Sequence, residues 1–179
     1  MEALEAMMEV PESNPRGIPS ATFLADIEKE LEGRDTDEVL KKLQENYQNY
    51  KLLEQKLMQQ KVALKSKLPD IERTLEVVQH LKEKHEASET VTTRFELADS
   101  VFAKAEIKDT NTVCLWLGAN VMLEYSYDEA VELLEKNKAN AEYSQTTLQE
   151  DLMFLRDQIT ITEVTIARIY NHDVRKRKG

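Results

Sequence analysis

The sequence is poor in everything that breaks, cross-links or fills a fold, with four glycines, four prolines, one cysteine and 6% aromatic residues in 179 positions. The lone cysteine, Cys114, excludes an internal disulfide framework. So few aromatics, with 41% hydrophobic residues, argue against a thick globular core. No apolar run is long enough to span a membrane and no secretory signal appears, so the chain reads as soluble and intracellular, without a membrane partner. Three prolines (Pro11, Pro15, Pro19) precede Ser20, which makes residues 1–19 a flexible lead-in and leaves the remainder nearly free of breakers.

Positive charge is also scarce. A net charge of −10 would repel a phosphate backbone, which excludes nucleic acid as a partner. The basic cluster Arg175, Lys176, Arg177 and Lys178 gives residues 172–179 the character of a basic tail that complements the negative pole of a preceding helix. A zipper transcription factor would carry its basic segment ahead of the zipper, not after it. No phosphate-cradling glycine loop, metal-ligand cluster or nucleophile motif is present, so neither an enzyme nor a cofactor or metal is expected. His80 and His85 are five apart and diverge on a helix; Cys114 is expected to pack within a strand.

Helical periodicity dominates what remains. Ser20 to Leu31 carries Phe23, Leu24, Ile27 and Leu31, followed by Gly33 in the place of a C-cap, and predicts a short amphipathic helix over residues 20–33. A long helix over 35–86 follows, opened by Asp35 with Glu38. With Leu40 as heptad position a, the a row is Leu40, Tyr47, Glu54, Lys61, Leu68, Leu75 and Lys82, and the d row runs Leu43, Tyr50, Leu57, Leu64, Ile71, Val78 and His85. Pro69 predicts a kink near Ser66 without a break. A second helix over 126–171 opens on the capping box Ser126-Tyr127-Asp128-Glu129. Its a row is Val131, Lys138, Gln145, Leu152, Ile159 and Ile166, and its d row is Leu134, Ala141, Leu148, Leu155, Thr162 and Ile169, so packing should tighten toward the C-terminal half.

Between the helices, β-branched and aromatic residues predict strands at 92–97, 101–107, 112–117 and 120–125, with turns at Ala98-Asp99 and Gly118-Ala119. The fold class is therefore mainly α with a small β part: a long antiparallel coiled-coil hairpin with two β-hairpins over 90–125. Partnered residue numbers across the helices should total roughly 213 for such an antiparallel return. Two isolated hairpins leave open edges, which predicts oligomerisation through Phe95, Val101, Leu115, Trp116, Leu117, Val121, Met122 and Leu123. Far from the strands, Leu40, Leu43, Tyr47, Tyr50, Ile159, Ile166, Ile169 and Tyr170 form a candidate binding tip. Leu52, Leu53, Ile161 and Val164 add apolar surface beyond what a two-helix seam needs.

The run Val113-Cys114-Leu115-Trp116-Leu117-Gly118-Ala119-Asn120-Val121-Met122-Leu123-Glu124-Tyr125 resembles the central segment of prefoldin alpha-class subunits. Arg16-Gly17-Ile18-Pro19, Phe154-Leu155-Arg156-Asp157-Gln158 and Ala167-Arg168-Ile169-Tyr170-Asn171 resemble the same class, so that residues 35–174 correspond to a prefoldin alpha-type domain. The resemblance implies a heterohexamer with one further alpha-class and four beta-class subunits, whose strands build a β-barrel body. It also implies an ATP-independent co-chaperone in the cytoplasm and nucleus, whose coil tips capture unfolded actin and tubulin for the cytosolic group II chaperonin. The von Hippel-Lindau protein is a further partner implied in this way. The alternative is a coiled-coil scaffold or tether subunit of another assembly; an enzyme with a coiled-coil arm is disfavoured because no length remains for a catalytic domain.

Overall fold

Helix starts and hairpin turns set the architecture. The computed structural model describes residues 16–107 and 111–178, so residues 1–15 of the expected lead-in over 1–19 and the final residue of the basic tail lie outside the described residues, while residues 16–19, expected to be flexible, are docked through Arg16, Ile18 and Pro19. The elements run α1 (Ile27–Leu31), α2 (Thr36–Glu86), β1 (Val91–Ala98), β2 (Val101–Ile107), β3 (Thr112–Gly118), β4 (Val121–Ser126) and α3 (Tyr127–Lys178). β1 pairs with β2, and β3 with β4, as two separate antiparallel sheets. The chain is mainly helical, with two antiparallel hairpins between its long helices.

Asp35 starts α2 by accepting the Asp37 backbone N–H at 3.0 Å, while its own carbonyl accepts from Val39 N–H at 3.2 Å. The helix then continues through Pro69 without interruption. At the other long helix the whole capping box forms. Ser126 Oγ accepts the Glu129 N–H at 3.3 Å, and the Glu129 carboxylate accepts from the Ser126 backbone N–H at 3.0 Å and from its hydroxyl at 2.8 Å. The Ser126 hydroxyl and then its backbone N–H hold the Glu129 carboxyl below its ordinary value of 4.5. This depressed value means that the cap's contribution is complete above 4.5 and is lost as pH falls through the folded value. Ser126→Ala is expected to cost about 1 kcal/mol near neutral pH. It should also flatten the acid dependence, which thermal melts by circular dichroism across that range will show.

Both hairpin turns sit one residue later than expected. Ala98 pairs with Val101, which makes Asp99-Ser100 the first turn, and Gly118 pairs with Val121, which makes Ala119-Asn120 the second. A register shift in β1 after Glu96 and in β3 after Trp116 inserts the extra residue. Ala119 (φ 48°) and Asn120 (φ 63°) are both left-handed, the conformation of a tight two-residue hairpin loop. Asn adopts it at lower cost than Ala. Ala119→Gly should therefore raise thermal stability by roughly 0.5–1 kcal/mol, readable as an upward shift in Tm.

The heptad rows mark the inward side. All the a and d positions of both helices are buried or half-buried. Cross-helix polar pairs fix the register: Tyr47 with Glu163, Glu54 with Arg156, Glu72 with Lys138, and Lys82 with Asp128. In these four pairs the residue numbers total 210 rather than 213, close to one helical turn from the expected alignment.

Two compact units divide the chain, one of residues 1–62 with 146–179 and the other of residues 63–145. In the second, Leu115 of β3 joins Val78, Tyr127, Ala130 and Leu134 in a core that Val113 and Tyr125 flank. In the first, the core has a third contributor besides the helices. Ile18 packs with Tyr50, Leu155 and Ile159, while Leu24 and Leu31 pack with Val39, Leu43 and Ile169.

The predicted helix over 20–33 is mostly not a helix. Only Ile27–Leu31 is helical, capped by Asp26 and ended by Gly33 at φ 77°. Residues before it stay extended because their apolar positions fit pockets on the long helices and their backbone groups find side-chain partners there. Propensity yields to tertiary contact. At the C-terminus, the expected basic tail over 172–179 continues α3 as helix through Lys178.

Candidate functional site

Much of the exposed apolar surface lies on the strands of the second unit, and the coil of the first adds Leu52, Val164 and Tyr170. In β1 and β2, the residues of one face are Val91, Thr93, Phe95 and Leu97 with Val101, Ala103, Ala105 and Ile107, apolar but for Thr93. This face is apolar yet uncovered: Phe95 is 61% exposed and Leu97 64%. The opposite face carries Arg94, Glu96, Lys104 and Glu106, with Phe102 as its one large apolar member. An exposed apolar face on a two-stranded ribbon has the chemistry of an interface.

In β3 and β4 both faces are involved. Leu115 turns inward, while on the other face Trp116 stands directly opposite Met122 and both are exposed. Leu117, Val121 and Leu123 are exposed as well. Of the eight strand residues expected to mediate assembly, Leu115 alone is buried in its own chain's core. Cys114, expected to be packed, is exposed on the Trp116 face. Leu97 of β1 and Phe102 of β2 are exposed too and were not singled out from the sequence, because the register shift after Glu96 moves their turn later than expected.

The eight expected tip residues split into two groups. Leu43, Tyr50, Ile159 and Ile169 are buried, and they are buried against residues 18–31 as well as against each other. Leu40, Tyr47, Ile166 and Tyr170 line an open groove with Gln44 and Glu163. Tyr170 is 60% exposed there, and the Tyr47 hydroxyl donates to Glu163 Oε1 at 2.8 Å. That hydrogen bond, followed by burial, raises the Tyr47 phenol above its ordinary range, so it stays neutral and keeps its donor. Such a groove offers apolar area with a few polar handles. Leu52 and Val164, counted as surplus apolar residues, are also exposed, while Leu53 and Ile161 are half-buried.

The helix face that receives residues 16–26 was missed in the sequence. Asp151, Gln158 and Thr165 recur every seven residues beside the a row and are all buried. Polar residues at heptad spacing read as a wet face, and only their partners reveal otherwise. Arg16 Nε donates to Asp151 at 2.6 Å and a second guanidinium nitrogen donates to Glu150 at 3.0 Å. Gln158 Oε1 accepts from Ala21 N–H at 2.7 Å. Among the described residues no cluster of three or more His, Cys, Asp or Glu could hold a metal, and no helix is long and apolar enough to cross a membrane.

Comparison with known proteins agrees with this arrangement. Residues 50–172 match the model of the prefoldin family, described as prefoldin subunit. The chain is 51% identical over 164 residues to prefoldin subunit 3 of Mus musculus, covering 90% of this chain and 84% of the relative. It is 42% identical over 184 residues to prefoldin subunit 3 of Drosophila melanogaster, covering 100% and 93% respectively. Among solved structures, filamentous PFD from Methanocaldococcus jannaschii aligns with a TM-score of 0.51 and 16% identity, over 63% of this chain and 91% of that one, a likeness of fold.

Proposed function

Because the chain belongs to the prefoldin family, whose subunits are non-enzymatic chaperone components acting with other prefoldin subunits, we propose that its uncovered strand faces assemble and its coil groove captures clients. The partners are one further alpha-class and four beta-class subunits, whose strands close with these hairpins into a β-barrel body. The clients are unfolded actin and tubulin, held without ATP and passed to the cytosolic group II chaperonin. The work takes place in the cytoplasm and nucleus, and the von Hippel-Lindau protein is an additional partner.

The observation that carries this reading is the pair of hairpins with apolar faces turned outward. Phe95, Trp116 and Met122 are 61%, 60% and 55% exposed, and burying each against a neighbour is worth roughly 1.5–3 kcal/mol. The groove of Leu40, Tyr47, Ile166 and Tyr170 supports the second half of the reading.

The test mixes the chain with a second alpha-class and the beta-class subunits, and follows hexamer formation by native mass spectrometry. The hexamer is then challenged with denatured actin in a light-scattering assay. Assembly with suppressed aggregation is expected. Assembly without suppression would instead make the chain a scaffold subunit.

A further inference from the structure

Residues 16–31 run along the coil as a strap. The way the coil holds it resembles the way a receptor holds an extended peptide. The Tyr50 hydroxyl donates to the Pro19 carbonyl at 3.1 Å, Gln158 accepts from the Ala21 N–H at 2.7 Å, and Arg168 donates to the carbonyls of Leu24 and Ala25 at 2.5 and 3.0 Å. All four bonds reach main-chain groups of the strap, which every polypeptide possesses. Side-chain contacts include apolar seats, one charge, and the Arg168 guanidinium over the Phe23 ring at 5.0 Å. Ile18 and Leu24 enter pockets and are 6% and 4% exposed, while Arg16 meets Asp151 and Glu150. Main-chain bonds that supply affinity, with apolar pockets that supply modest selectivity, are the ingredients of extended-peptide recognition.

The seats beneath the strap are apolar in their own right. Tyr50, Leu155 and Ile159 surround Ile18, and Leu43 and Ile169 lie under Leu24. Once the strap lifts, this surface would become a water-exposed apolar strip, with the Tyr50, Gln158 and Arg168 side chains in place as donors and acceptors for the main chain of an occupant.

We infer that this face is an extended-peptide site with the strap as its resident ligand, and that its exchangeable occupant is an extended segment of an unfolded client bearing aliphatic side chains. The inference rests on the client-capture reading above and adds a second, gated site to the open groove of Tyr47 and Tyr170. A docked strap lowers apparent client affinity by the fraction of time the seats are free. Undocking it exposes the strip and raises affinity.

The experiment uses the full chain assembled with its partner subunits and, as probe, fluorescein-labelled reduced and carboxymethylated α-lactalbumin, a permanently unfolded chain, read by anisotropy. Two variants loosen the strap without touching the seats. Ile18→Asp with Leu24→Asp removes its anchors. Gly17→Val adds a side chain that meets nothing within 4 Å but disfavours the left-handed φ of 82°. Hydrogen exchange at residues 18–26 confirms undocking. The double variant is expected to bind the probe ~10-fold more tightly, with Gly17→Val intermediate. A synthetic peptide of residues 16–32 should bind the double variant and displace the probe, where a scrambled peptide does not. Unchanged or weakened probe binding in a variant whose strap exchanges freely overturns the inference. Peptide that binds without displacing the probe also overturns it, and leaves capture at the open groove standing. A probe that binds neither wild type nor variants defeats both readings.

Discussion

Phe95→Asp combined with Trp116→Asp is expected to abolish incorporation of this chain into the hexamer while leaving its own fold intact. Both side chains are mostly exposed, at 61% and 60%, so each carboxylate remains solvated in the isolated chain and its circular dichroism and Tm should be unchanged. In the proposed assembly the same two positions face neighbours. There each substitution forfeits the burial of an aromatic side chain, about 1.5–3 kcal/mol, and sets a carboxylate against an apolar surface at a further cost of several kcal/mol. A combined loss on that scale exceeds several powers of ten in the association constant. Native mass spectrometry of the mixture should show the remaining subunits without this one. Lys104→Glu, on the polar face of the same hairpin, is the control and should assemble normally.

Leu155→Ala is expected to be the most destabilising single truncation in the first unit. Leu155 is fully buried, and it contacts Ile18 of the strap together with Tyr50 and Ile159. Three segments therefore border the cavity that Ala would leave, and they cannot all collapse into it. The cost is about 2–5 kcal/mol. Urea denaturation should show a lowered midpoint, and hydrogen exchange should quicken at residues 18–24 as well as along the facing stretch of α2. Met153→Ala, two residues away and 63% exposed, should change the midpoint by less than about 0.5 kcal/mol.

Much of the fold is written in periods that survive without tertiary information. The a and d rows named the inward side of both helices, and Ser126-x-x-Glu129 named the start of the second, because heptad spacing and a capping box are local. The turns were displaced by one residue because the shifts after Glu96 and Trp116 depend on strand pairing, which no single strand's sequence states. The strap was the largest miss. Phe23, Leu24, Ile27 and Leu31 do fall at helical spacing, yet Leu24 is docked as part of an extended segment and Phe23 remains 54% exposed beneath the Arg168 guanidinium at 5.0 Å. Competition between local helix and long-range docking is decided by the receiving surface, and that surface, built on Asp151, Gln158 and Arg168, reads in sequence as solvated polar residues.

The same receiving surface explains why the expected tip divided. A seam position is indistinguishable from an exposed one until a third segment is placed, so Tyr50 and Tyr47, three residues apart on α2, met different fates. Tyr50 lies under the strap and bonds Pro19, while Tyr47 opens onto the groove and bonds Glu163. The groove residues are consequently the ones open to solvent without any rearrangement.

The most direct test of capture at the groove is the suppression of denatured-actin aggregation by a hexamer carrying Tyr47→Ser, Ile166→Ser and Tyr170→Ser in this chain. Its subunit stoichiometry should match that of wild type, because all three positions lie outside the strand faces. With assembly intact, the predicted result is a clear loss of suppression relative to the wild-type hexamer. Full suppression by an intact triple-variant hexamer would contradict the account.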